Sequence, residues 1–109
     1  MTERGKKYLS DILRAIELIE SFMEGIESFD DYQADLKTQS AVERQLGIIG
    51  EAVNQFKQEC PDQKLENTHS IIGFRNRIVH AYDSLDNSIV WVIVRKYLAP
   101  LKAEVLNFL

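Results

Sequence analysis

Apolar residues recur at three- and four-residue steps along much of the chain, which is the spacing of one face of an α-helix. The first such stripe consists of Ile12, Ile16, Ile19, Met23 and Ile26. It predicts a helix that runs from about Tyr8 to Gly25, since glycine commonly ends a helix. Ser28 is a good helix-capping residue, so we expect a short helical turn directly after it.

A second stripe predicts a long helix from about Thr38 to Glu59, which Pro61 ends. Its members are Val42, Leu46, Ile49, Val53 and Phe56. Gly47 and Gly50 lie inside this helix, where each glycine costs about 1 kcal/mol relative to alanine. Close approach of a neighbouring helix would explain both glycines, and we expect such a contact here.

The polar residues 60–67 predict a loop, after which Asn67 or Thr68 caps a fourth helix. Asp86 or Asn87 caps a fifth. The apolar face predicted for the fifth helix consists of Val90, Val94, Tyr97, Leu101, Val105 and Phe108. Pro100 should bend this helix.

Residues 89–94 are also compatible with a buried strand, because they are apolar and rich in β-branched side chains. We favour a helix there, since no second segment offers a strand partner. The predicted fold is therefore all-α: an antiparallel bundle of four main helices plus a short extra helix. The length of 109 residues fits a single domain spanning residues 1–109.

The composition narrows the partners that the chain could bind. Thirteen Lys and Arg against seventeen Asp and Glu give a net charge of −4, so any contact with a nucleic-acid backbone must be local. No apolar run approaches the roughly 20 residues of a membrane span, and no signal peptide is visible, so a cytoplasmic protein is expected. The single cysteine, Cys60, offers neither a disulfide nor a zinc site, and we expect no metal or other cofactor.

The fourth predicted helix carries a charged residue within its apolar stripe. Arg75 lies between Ile71, Ile78 and Tyr82 at helical spacing. Because burying an unpaired guanidinium is costly, Arg75 should have a carboxylate partner or face a cleft or subunit interface. Glu43 and Glu51 on the preceding helix are the candidate partners. A purely structural salt bridge is the simpler interpretation for an isolated arginine.

Other polar side chains cluster near Arg75 on the same helix. Asn76 and His80 are four residues apart, and Arg77 is three before His80, so these groups are neighbours. The imidazole has an unperturbed pKa near neutrality, which suits a general acid or base. The alternative for His80 is a histidine that is simply hydrogen-bonded near a helix end.

Residues 75–82 match the R-x4-H-x-Y signature of HEPN domains of the HepT type. The segment reads Arg75-Asn76-Arg77-Ile78-Val79-His80-Ala81-Tyr82. Residues 8–16 resemble the family's opening helix, and residues 44–52 resemble its helix before the motif loop. The resemblance covers nearly the whole chain, although residues 65–68 depart from a loop in which the family often has a proline and a tryptophan.

The resemblance implies a homodimer whose two motifs face a shared cleft and act as a metal-independent endoribonuclease. By that resemblance His80 is the acid or base, Arg75 is its catalytic phosphate-binding partner, and Asn76 and Arg77 bind RNA phosphate. HepT-like toxins are typically paired with a minimal nucleotidyltransferase antitoxin of the MntA kind, which transfers AMP to the motif tyrosine. Tyr82 is then the acceptor.

Helical geometry sets a condition on this interpretation. Residues five apart on a regular helix point about 140° away from each other, so Arg75 and His80 cannot share one face. Either the helix ends or distorts before His80, or Arg75 of one subunit serves His80 of the other. Two further alternatives remain from the sequence: a non-catalytic nucleotide- or RNA-binding partner of a nucleotidyltransferase, and a purely structural bundle.

Overall fold

The regular structure of the chain is helical in the computed structural model, which describes residues 1–80 and 86–109, without the side chains of residues 77–80. The helices are α1 (Glu3–Phe22), α2 (Phe29–Gln33), α3 (Leu36–Glu59), α4 (His69–His80), α5 (Asn87–Val92) and α6 (Leu98–Phe108). A π-helical segment, Ile93–Tyr97, joins α5 to α6 without a break. With α5 to α6 taken as one rod, the predicted all-α fold of four main helices and a short one is confirmed.

Side-chain caps mark the starts of α1, α2, α3 and α5. The hydroxyls of Thr2 and Ser28 accept hydrogen bonds from backbone N–H groups in α1 and α2, and carboxylates do the same for α3 and α5. Ser28 and Asp86 were predicted for this role. The cap at Asp35 was not predicted, and because of it α3 begins at Leu36 rather than at the predicted Thr38. Each cap satisfies an N–H group that would otherwise lack a partner.

The first helix differs from its predicted bounds at both ends. It begins at Glu3, because Thr2 caps it, and it ends at Phe22. Gly25 adopts φ +83° in the turn that follows, a left-handed conformation that favours glycine. Gly25 therefore lies in the turn after α1, as expected, but three residues beyond Phe22, the last residue of the helix.

Contacts between helix ends show how the helices run relative to one another. Gly5 at the start of α1 packs against Cys60 after the end of α3. The side chains of Gln39 and Asn87 are hydrogen-bonded, so the starts of α3 and α5 meet, and Phe108 at the end of α6 contacts Phe56. The long rod is thus parallel to α3, and α1 is antiparallel to α3.

One apolar cluster fills the space between the helices. It contains the predicted stripes of α1 and α3 nearly completely, which confirms both periodicities. Its buried members on those helices include Leu9, Ile12, Ile16, Ile19, Val42, Leu46, Ile49, Val53 and Phe56. From α4 onward it contains Ile71, Phe74, Val90, Ile93, Leu98, Leu101 and Val105. None of the helices in the described ranges is both long and apolar enough to cross a bilayer.

The predicted face of the last helix is wrong in its middle. Ile93 and Leu98 are buried at 2% and 3% exposure, whereas Val94 and Tyr97 are only partly buried. The physical reason is the π-helical segment, in which an added residue per turn rotates everything that follows it. Regular α-helical spacing places Tyr97 under Ile93, but the widened turn gives that place to Leu98.

Candidate functional site on helix α4

Helix α4 crosses α3 closely where Arg75 meets Gly50. A Cβ atom added to Gly50 would lie 2.5 Å from the Arg75 Cβ and 3.4 Å from the Ile71 carbonyl oxygen. Real Cβ atoms essentially never lie 2.5 Å from another heavy atom, so only glycine accommodates this crossing. The expected close helix approach is confirmed at Gly50, and that for Gly47 stays a prediction.

The Arg75 guanidinium forms a salt bridge with the Glu51 carboxylate, one residue beyond that crossing. Of the two predicted partners, Glu51 is the one observed. The Gln55 amide donates to the other Glu51 oxygen at 3.1 Å. The Gln55 hydrogen bond first, and then Arg75, hold the pKa of Glu51 below its usual range despite partial burial. Asn76 Oδ1 accepts from Arg75 Nη1 at 3.5 Å, which makes it a weak second contact.

The salt bridge is accessible to solvent. The Arg75 side chain is 29% exposed and that of Glu51 is 47% exposed. An ion pair with this much water contact contributes only about 0–1 kcal/mol. An incoming anion could therefore replace Glu51 on the guanidinium at small cost.

Glu43, the other predicted partner of Arg75, has a different environment. It lies seven residues before Gly50, two turns along the same side of α3, and burial raises the pKa of its carboxyl. The nearby Tyr32 side chain is completely buried, and its hydroxyl has no hydrogen-bond partner in the described part of the chain. Burial first, and then the Glu43 charge, raise the pKa of Tyr32. This pairing had no signal in the sequence.

Helix α4 continues as an α-helix through His80. The possibility that the helix ends before His80 is thereby excluded, so helical register keeps Arg75 and His80 about 140° apart around one helix axis. The side chains of Arg77 and His80 lie outside the description, and Tyr82 lies outside the described residues altogether. Of the predicted site residues, the structure brings together Arg75 and Asn76.

Two sets of long-range hydrogen bonds attach the chain to the bundle on either side of the motif. The Glu104 carboxylate accepts from the backbone N–H groups of Glu66 and Asn67 and from the Asn67 amide, at 2.6–3.0 Å. Beyond the motif, Gln39 donates to the carbonyls at the end of α2 and accepts from the Asn87 amide at 3.3 Å. The loop before α4 and the start of α5 are thus attached to the bundle.

A groove of about 500 Å³ runs between α4 and the first part of the rod, which consists of α5 and the π-helical segment. The residues that bound its open part include His69, Ser70, Gly73, Ser88, Val92 and Tyr97. Sequence reasoning missed this groove, since it depends on the rotation that the π-helical segment introduces. Its α4 side precedes the motif residues on the same helix.

An all-helical bundle with Arg75 and His80 on its fourth helix has the architecture of the HEPN class of proteins. Within that class, a family model described as "Ribonuclease HepT-like" matches residues 12–107. The match spans most of the chain, so the chain belongs to the HepT-like ribonuclease family.

Named relatives support the same assignment. A protein of Thermococcus cleftensis named "Probable ribonuclease HepT" is 39% identical over 108 residues, which cover 95% of this chain and 94% of the relative. A "Putative RNase" of Caldanaerobacter subterraneus is 30% identical over 95% of this chain and 93% of its own length. Another so named, from Methanocaldococcus jannaschii, is 30% identical over 92% of each. No solved structure matches the chain significantly.

Proposed function

We propose that this chain is an endoribonuclease that cleaves RNA without a metal ion, in a cleft between two identical subunits. The observation that carries the proposal is Arg75: a partly exposed guanidinium, loosely held by Glu51, on the helix that also carries His80. Membership of a ribonuclease family supplies the class of reaction.

The chemistry needs a base, a cation and phosphate ligands. His80 removes the proton from a ribose 2′-hydroxyl, the 2′-oxygen bonds to the adjacent phosphorus, and the bond from phosphorus to the 5′-oxygen breaks as that oxygen takes up a proton. Arg75 stabilises the added negative charge on the phosphorane oxygens. Asn76 and Arg77 hold the flanking phosphates.

A homodimer explains how these groups meet. Because α4 is unbroken through His80, one subunit presents Arg75 and His80 on different sides of the helix. Two-fold symmetry can place Arg75 of one subunit opposite His80 of the other, which makes two equivalent sites. The same arrangement joins two copies of the basic motif.

The distribution of charge along the sequence favours an RNA contact near the motif. Residues 69–109 contain five Lys and Arg and three Asp and Glu, whereas residues 1–68 contain eight and fourteen. The chain is acidic as a whole, but the part that carries the motif is net positive. An RNA backbone would thus be attracted locally while the rest of the surface repels it.

Purified protein incubated with RNA in the presence of EDTA tests the proposal. We expect cleavage by the wild type and none by His80→Ala at the same concentration. Products that end in a 2′,3′-cyclic phosphate would identify attack by the 2′-hydroxyl. Intact RNA that the wild type binds, with affinity lost in Arg75→Ala, would contradict ribonuclease activity and support a non-catalytic RNA-binding module.

We further propose that the chain is the toxin of a pair whose antitoxin is an MntA-like nucleotidyltransferase that attaches AMP to Tyr82. The phosphodiester formed there would place a negative charge near the groups that bind substrate phosphate, and so block the site. Co-expression with such an enzyme should add the mass of one or more AMP units to the chain and abolish RNA cleavage. Tyr82→Phe should prevent both effects, and an unchanged mass gain in that variant would contradict Tyr82 as the acceptor.

A further inference from the structure

Gly73 lines the groove between α4 and the rod. A Cβ atom added at Gly73 would meet nothing within 4 Å, in contrast to one added at Gly50. An interior helical glycine costs about 1 kcal/mol relative to alanine. No helix in the described part of the chain requires a glycine at position 73, so the position leaves free space at the groove.

The π-helical segment turns an aromatic side chain into this groove. Leu98 occupies the core position that regular spacing assigns to Tyr97, and Tyr97 lines the groove instead, partly exposed. The Lys96 ammonium lies 5.7 Å from the centre of the Tyr97 ring. Single π-helical turns inside α-helices frequently occur at functional sites.

The surroundings of the groove suit a negatively charged ligand. No carboxylate lines it in the described part of the chain, while Lys96 is exposed on the π-helical segment next to Tyr97. Along α4, Arg77 and His80 follow Gly73 by four and seven residues on the same helix. The groove and the motif are therefore consecutive along one helix.

We infer that this groove is the binding site for one nucleotide of a single-stranded RNA, next to the phosphate that is cleaved. The base stacks on Tyr97, and its backbone phosphate lies toward the exposed Lys96. Stacking of this kind requires an unpaired base, so the substrate class is single-stranded rather than duplex RNA. The inference rests on the proposed ribonuclease function and adds a specificity-determining residue to it.

Affinity for a labelled RNA strand of about ten nucleotides tests the inference, measured by fluorescence anisotropy in a His80→Ala background so that the probe stays intact. Tyr97→Leu should weaken binding about tenfold, whereas Tyr97→Phe, which keeps the ring, should bind like its parent. Gly73→Leu fills the groove and should weaken binding by a similar factor. Ser10→Leu adds the same side chain to an exposed position on α1 and serves as the matched control.

Thermal unfolding verifies that each variant is folded, and the two positions test the groove independently. Unchanged affinity in both Tyr97→Leu and Gly73→Leu would overturn the inference. If the variants lost affinity for a duplex of the same length to the same extent, the inference would also be overturned. It would be overturned as well if Tyr97→Leu or Gly73→Leu changed the protein from dimer to monomer on sedimentation, because a second copy of the chain would then be the occupant of the groove. Failure of the proposed function has a different signature, because the wild type would then not cleave RNA at all.

Discussion

Subunits with Arg75→Ala and subunits with His80→Ala should each be inactive alone, while a mixed dimer containing one of each recovers about half of the wild-type activity. Loss of a general acid or base lowers the rate by about 10²–10⁴-fold. Loss of one group that stabilises transition-state charge costs about 10²–10³-fold. The homodimer of each variant should therefore show almost no RNA cleavage.

The recovery follows from the course of α4. Because the helix is continuous from His69 to His80, a site in the proposed dimer cleft would take Arg75 from one subunit and His80 from the other. In the mixed dimer, one site contains both alanines, and the other contains both native side chains. One intact site of two remains.

Co-expression of the variants with two different affinity tags, followed by purification through both, yields dimers that contain one copy of each. RNA cleavage by this species is compared with that of a doubly tagged wild-type dimer. An inactive mixed dimer that is folded and dimeric would show that Arg75 and His80 act from the same subunit. Full activity of either single variant would remove that residue from the mechanism.

The helices that could be predicted are those whose stripes follow the regular α-helical period. Ile12, Ile16 and Ile19 in α1, like Leu46 and Ile49 in α3, are buried as their spacing indicates. Local periodicity is sufficient there, because each buried face meets the core without interruption. The start of α3 was misplaced by two residues, since an aspartate cap at Asp35 acts before the stripe begins.

The last helix could be assigned but its face could not. Val94 and Tyr97 are apolar enough to fit a regular stripe, so nothing in the sequence reveals that a π-helical turn replaces them with Ile93 and Leu98. Pro100 lies one turn later and cannot donate to the Lys96 carbonyl, which weakens the regular pattern in this region. That loss is compatible with either a bend or a widened turn.

The partner of Arg75 illustrates how much of the site could be predicted. Its position in an apolar stripe predicted either a carboxylate partner or a place at a cleft or subunit interface, and Glu43 and Glu51 on the preceding helix were the candidate partners. Glu51 could be chosen over Glu43 only if the position along α3 at which α4 crosses it were known, and Gly50 determines that position. The hydrogen bonds to the Glu104 carboxylate could not be predicted, because they join groups 37 and 38 residues apart and leave no local pattern in the sequence.

The Gly50→Val substitution should destabilise the protein by about 3 kcal/mol, since overpacking a close contact costs about 1–3 kcal/mol and occasionally more. A single methyl group at this position already overlaps the Arg75 Cβ, which is attached to the backbone and cannot rotate away. Helix α4 must therefore move from α3, and Arg75 moves with it. For a chain of this length we expect the melting temperature to fall by roughly 10–20 °C.

Gly73→Val is the matched control, because both glycines are inside helices but only Gly50 lies under a neighbouring helix. Nothing lies within 4 Å of an added Cβ at Gly73, so its free energy of unfolding should change by less than about 1 kcal/mol. Chemical denaturation of both variants gives the comparison. Equal stability of the two would contradict the tight crossing, whereas selective loss at Gly50, together with loss of the contact between Arg75 and Glu51, would show that the same glycine sets the helix packing and the position of the guanidinium.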